Sequence, residues 1–245
     1  MRTLQIILIT LPIAIGTILS NCNKKTGSAV SVKSAQTKHS KTMTDSLTYL
    51  ALGDSYTIGE SVNQSESYPY QLTNLLTAKS YPVQHPTIIA VTGWTTDDLI
   101  SAIAGSDITH NKFNFVTLLI GVNDQYQGLS QSDYKIKFAQ VLQTAITFAK
   151  GGAKSVFVLS IPDWGVTPFA DGQESIIGPQ IDQFNAINKE ISEQAGINYL
   201  NITDISKQAA TDPTLTAPDG LHPSGKMYSL WVQRLESLVA DQLKK

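Results

Sequence analysis

Gly53-Asp54-Ser55 stands early in a chain of 245 residues, Gly93 further on, Gly121-Val122-Asn123-Asp124 later, and Asp219-Gly220-Leu221-His222 near the end. A serine hydroxyl is a poor nucleophile unless a neighbouring base removes its proton as it attacks, so Ser55 needs a histidine. The chain offers His39, His85, His110 and His222. His39 falls in a polar N-terminal stretch, and His85 and His110 in polar approaches to strands. His222 has a carboxylate at a helpful offset in a turn suited to hold it, because Asp219 precedes it by three residues in a Pro- and Gly-flanked turn. In that pairing Asp219 orients the ring and steadies its charged form, while His222 serves as base and then as acid.

Acyl transfer also requires donors aimed at the oxyanion of the tetrahedral intermediate. The backbone N–H of Ser55, the backbone at Gly93 and the side-chain amide of Asn123 are the candidates, glycine being suited to a close approach of substrate and main chain. Taken singly, each has a plain reading. Asp-Gly-Leu-His is a turn leading into a helix, Gly93 a turn glycine, and Asn123 an Asx turn with Asp124. Asp54 and Asp124 read as groups that fix loops and do not react.

Together the four ordered blocks resemble the SGNH hydrolase superfamily, also called GDSL-type esterases and lipases, named for Ser, Gly, Asn and His. The corresponding residues are Ser55, Gly93, Asn123 and His222. The resemblance implies a carboxylic ester hydrolase on a three-layer α/β/α sandwich with a flavodoxin-like, parallel five-stranded sheet, spanning roughly residues 45–245. Tyr56 stands where the GDSL signature has leucine. Thr57 occupies the second glycine's place in Gly-x-Ser-x-Gly, so the nucleophile elbow of α/β-hydrolases is not matched.

Several elements must carry these residues. Apolar runs at 47–52, 87–91, 115–120, 155–161 and 197–202 read as strands, the first ended by Gly53 and the fourth by Pro162. Helical spacing occurs at 70–76, from Ser130 to a stop at Gly151-Gly152, from Ile181 to Ala195, and from about Ser224 to Leu243. Alternating strands and helices imply a parallel sheet covered on both faces. Ligands of such sheets bind beyond the carboxyl ends of the strands, which is where Ser55, Gly93 and Asn123 fall.

Hydrophobic content of 42% and charged content of 16% are those of a globular protein, and the length suits one catalytic domain. The beginning of the chain differs. Leu4 to Leu19 is uncharged and bounded by Ser20-Asn21-Cys22, the layout of a signal peptide over residues 1–21. Leu19-Ser20-Asn21-Cys22 resembles the lipobox of a bacterial lipoprotein, with Asn21 in place of the usual small residue and Cys22 as the lipidated position. A plain signal or an uncleaved anchor are the competing readings. Residues 22–44, rich in Lys, Ser and Thr, read as a flexible tether. These features predict an exported protein lipid-anchored to a membrane of the bacterial cell envelope, with a periplasmic or secreted form as the alternative.

Setting aside Arg2 and the five lysines of that stretch leaves 12 of 18 basic residues against all 20 acidic ones, about −8 for the remainder. That balance argues against nucleic acid as a partner. No Cys-x-x-Cys, His-Glu-x-x-His, Gly-x-Gly-x-x-Gly or Walker loop occurs, so neither a metal nor another cofactor is expected, and no obligate protein partner is evident. Tyr56, Trp94, Tyr126, Trp164 and Phe169 fall near predicted strand ends as candidate substrate contacts. Short loops without a long apolar lid favour a small acyl group or an exposed ester, in an acetylated glycan, a lysophospholipid or a thioester. A non-catalytic glycan-binding module on the same fold and an acyltransferase are the alternatives.

Overall fold

Five strands, β1 (Tyr49–Gly53), β2 (Thr87–Ala90), β3 (Phe115–Leu119), β4 (Val156–Leu159) and β5 (Asn198–Leu200), form one sheet in the order β2-β1-β3-β4-β5, with every pairing parallel. The computed structural model describes residues 46–244. The candidate signal segment 1–21, Cys22 and the tether 22–44 lie outside them. β1, β3 and β4 are buried at every position, which is why they read as unbroken apolar runs: helices cover both faces of a parallel sheet.

Among the described residues eight α-helices join or flank these strands: α1 (Ser55–Ile58), α2 (Tyr68–Ala78), α3 (Thr96–Ala104), α4 (Val122–Tyr126), α5 (Gln131–Phe148), α6 (Glu174–Gln194), α7 (Thr203–Ser206) and α8 (Gly225–Leu243). The step from β1 to β2 runs opposite to every later step across the sheet. Right-handed crossovers therefore put α2 on one face and α3, α5 and α6 on the other. The packing agrees, α2 against α8 and α5 against both α3 and α6. This is the three-layer α/β/α, flavodoxin-like arrangement that the resemblance implies. No helix among the described residues is long and apolar enough to cross a membrane.

Some boundaries differ from the sequence reading. α3 is an additional helix, its start fixed by a capping box between Thr95 and Asp98. α6 begins at Glu174, well before Ile181, and runs through Pro179 with Ile177 buried. α5 starts where expected, Ser130 Oγ accepting from Asp133 N at 3.0 Å, but ends at Phe148, ahead of the glycine pair.

An aromatic cluster ties α1 and α2 to α8. Trp231 of α8 is fully buried against Tyr228 and Tyr68, with ring centroids at 5.0 and 6.4 Å, and meets the edge of Tyr56 at 6.5 Å. Tyr56 adjoins Ser55, so the docking of α8 is registered directly on the residue next to the nucleophile candidate.

Candidate active site

Ser55 is the first residue of α1, immediately beyond the end of β1. The turn is held from both sides. Asp54 caps the helix, its Oδ1 accepting from Tyr56 N at 3.0 Å, and Gly59 closes it in a left-handed conformation. Gly53 admits no other residue, because a Cβ there would lie 2.2 Å from Thr57 Oγ1 and 2.3 Å from the Leu119 carbonyl of the neighbouring strand. The sheet thus presses on the strand end and leaves the chain one way to turn.

Gly93 follows β2 with φ of 84° and has no heavy atom within 4 Å of where a Cβ would stand. Glycine is used here for its backbone conformation, which presents a bare peptide to open space. Asn123, the second residue of α4, donates through Nδ2 to the Trp94 carbonyl at 2.9 Å, which orients the amide and leaves its second N–H available. Asp124 beside it accepts from Thr96 N and Oγ1 at 2.9 and 3.0 Å, binding α4 to the start of α3. Burial pushes the Asp124 carboxyl up, and the Thr96 donors work against that.

His222 is buried in the turn before α8, its Nδ1 2.5 Å from Asp219 Oδ2. Asp219 Oδ1 accepts the N–H groups of Leu221 and His222, each at 3.0 Å, so the turn wraps its own carboxylate. Ser61 Oγ donates to Oδ2 at 2.6 Å. Burial works to raise this carboxyl, but the donors from Ser61, His222 and Leu221 outweigh it and hold it well below the usual carboxylate range.

The blocks meet at one cavity of about 160 Å³, whose wall includes Ser55, Gly93, Asn123 and His222. It lies off the carboxyl ends of β1, β2 and β3, at the point where the strand order reverses. Among the described residues no hydrogen bond links the Ser55 hydroxyl to the imidazole; the cavity wall is what they share. Tyr56, Tyr126, Trp164 and Phe169 complete one side. Trp164 is fixed by its Nε1–H donating to Gln125 Oε1 at 2.8 Å, while Tyr126 and Phe169, 58% and 49% exposed, form an open rim. Trp94 does not line this wall: its carbonyl holds Asn123, and its side chain packs against the core. A larger groove of about 490 Å³ between Asp182 and Lys207 has no histidine in its lining. Among the described residues no group of three His, Cys, Asp or Glu side chains is placed to hold a metal ion.

Three contributors escaped the sequence reading. Thr92 and Val122 line the cavity but carry no chemical signal of their own, and only their place beside Gly93 and Asn123 could have suggested them. Ser61 has no signal in sequence, since its partner is 158 positions away.

The GDSL-like Lipase/Acylhydrolase family matches residues 51–230 of the chain. No curated protein matches it. Among solved structures the chain is similar to a variant of Axe2, an acetyl xylan esterase from Geobacillus stearothermophilus, at 16% identity and a TM-score of 0.63, covering 79% of this chain and 94% of that one. It is similar to the psychrotrophic esterase EstA from Pseudoalteromonas sp., at 17% identity and a TM-score of 0.59, over 81% and 99% of the two chains. A member of the lipolytic G-D-S-L family from Veillonella parvula matches at 14% identity and a TM-score of 0.62, over 78% and 97%. At these identities the likeness concerns the fold.

Proposed function

This chain belongs to the GDSL-like lipase/acylhydrolase family and is a carboxylic ester hydrolase, and from that premise we propose that it cleaves short-acyl esters through a covalent acyl-enzyme on Ser55. The observation that carries the reading is an imidazole tied to a carboxylate at 2.5 Å on the wall of the cavity that Ser55 and Asn123 also line. With Asp219 ionised, Nδ1 of His222 carries the proton and Nε2 is left as the base. Nε2 takes the Ser55 hydroxyl proton as Oγ bonds to the ester carbonyl carbon, a contact that tightens once substrate fills the cavity.

The carbonyl π pair becomes an oxyanion, met by the Ser55 and Gly93 N–H groups and the free N–H of Asn123. Its collapse breaks the bond to the alcohol, which leaves with the proton from Nε2. Water then repeats the sequence on the acyl-enzyme and restores the serine. Asp219 holds the tautomer and faces the imidazolium in both halves.

Size supports a short acyl group. About 160 Å³ is well under the roughly 300–1,000 Å³ of pockets that enclose drug-sized ligands. The exposed rim of Tyr126 and Phe169 leaves the alcohol side open. A fluorophosphonate probe and a series of p-nitrophenyl esters test the reading. The expected result is an adduct on Ser55 and a kcat/KM that is highest for acetyl to butyryl esters and falls for octanoyl. Folded protein that neither labels nor turns over any of them sinks the proposal and leaves a glycan-binding module. Acyl products formed on an added alcohol in preference to water mark a transferase.

A further inference from the structure

Three of the four donors around Asp219 come from its own turn; the fourth, the Ser61 hydroxyl, comes from the loop that follows the nucleophile's helix. Ser61 holds a left-handed backbone with φ of 64°, a conformation disfavoured for any residue with a Cβ. The other non-glycine residues with positive φ among those described, Ser80 and Asp171, sit where helical turns end. Ser61 lies beyond Gly59, which already closes α1, so helix termination does not account for it. The conformation closes a turn in which the Val62 N–H donates to the Gly59 carbonyl at 3.3 Å, and with it the Ser61 hydroxyl makes a 2.6 Å hydrogen bond to the oxygen that faces the imidazole. An unfavourable local geometry kept beside a reactive group points to a role there.

We propose that Ser61 is a positioning residue, whose hydroxyl locks Asp219 Oδ2 onto His222 Nδ1 and binds the base's turn to the nucleophile's loop. The inference rests on the reading in which Ser55, His222 and Asp219 perform the chemistry. With Ser61 in place, each carboxylate oxygen accepts two donors and the group has little freedom to swing. Without it, Oδ2 keeps only the imidazole among protein donors, with mobile water in place of a fixed hydroxyl at this exposed spot, and a less firmly held anion pulls harder on the imidazolium. The other titratable groups about the pair are Tyr56, edge-on to His222 at 5.7 Å with Asp54 behind it, and Asp163, which lines a small cavity that His222 also lines and has Lys207 at 3.9 Å. Ser61→Ala and Ser61→Gly leave all of them in place.

The test compares both variants with the wild-type full-length chain on a p-nitrophenyl ester across pH, with a thermal melt for each. Glycine relieves the left-handed strain while removing the hydroxyl, so it separates the hydrogen bond from the shape of the loop. Both variants should lose about tenfold in kcat, the scale of a hydrogen bond to a charged group, with KM nearly unchanged. In both, the acid limb of kcat/KM should move up by roughly half a pH unit. A Ser61→Gly enzyme with wild-type kcat and an unmoved limb overturns the proposal. Fluorophosphonate labelling of the wild type separates two failures: no adduct on Ser55 removes the catalytic reading itself, whereas labelling with an indifferent Ser61→Gly removes only this inference.

Discussion

Two aspartates serve the Ser55 region, one its chain neighbour and one from near the far end of the sequence, and their surroundings are opposite. Asp54 is wholly buried, with one oxygen on the Tyr56 N–H and the other without a partner. Burial pushes its carboxyl up to about 8, and the nearby Asp124 adds to the rise against the pull of the Tyr56 N–H. Asp219, by contrast, is 30% exposed at its side chain and has both oxygens doubly donated to. Nearness to Ser55 does not decide which carboxylate favours the anion; depth of burial, set against the donors each oxygen receives, does. The buried acid, pushed toward its neutral form, shapes the turn under Ser55, and the donor-rich one faces the imidazole of His222.

The largest effect that would sharpen this contrast is on turnover. Asp219→Asn keeps the shape but can hold the imidazole in the wrong tautomer, and kcat on a short ester should fall on the order of 10⁴-fold. A loss of only a few-fold would place the working carboxylate elsewhere. Asp54→Asn should leave kcat within a few-fold and change stability instead. The folded state keeps a proton on Asp54 that the unfolded chain releases near its ordinary value of 3.8, so wild-type stability should decline as pH rises from about 4 toward 8. The asparagine variant should show a flatter profile over that window in denaturant midpoints. Parallel profiles would mean that Asp54 is ionised and that the contrast is false.

The smallest effect belongs to Asp219 in the wild type. Its depressed carboxyl contributes stability that is present above the unfolded value of 3.8 and is lost as pH falls through the lower folded one. Below about pH 4, acid unfolding should therefore cost the wild type more than Asp219→Asn, by a margin that partial exposure keeps slight. Identical acid midpoints would say that its donors do not favour the charged form.

The same contrast explains what could be read from the sequence. The strands were legible because β1, β3 and β4 are buried on both faces and so are apolar at nearly every position. α8 was legible from Met227, Trp231, Leu235 and Val239, all buried on one side. α3 was not, since Leu99 and Ile103 are its only buried apolar positions and its other residues are mostly polar or small. The early turns of α6 were hidden by Gly178-Pro179, which reads as a break, although Ile177 and Ile181 anchor it. At the site, Asp219 and His222 were visible as a local pair. Ser61, an unremarkable serine between Glu60 and Val62, depends on a bond across 158 positions that no local pattern encodes.

That span also bears on when the protein can act. Ribosomes deliver Ser55 early, whereas the imidazole arrives only with the turn that precedes the final helix, whose Trp231 must dock beside Tyr56. In the proposed mechanism a half-made polypeptide therefore carries a hydroxyl whose proton acceptor has not yet arrived. On the proposed mechanism, ester cleavage begins once the helix that follows His222 has seated, which makes hydrolysis itself a gauge of that step of folding.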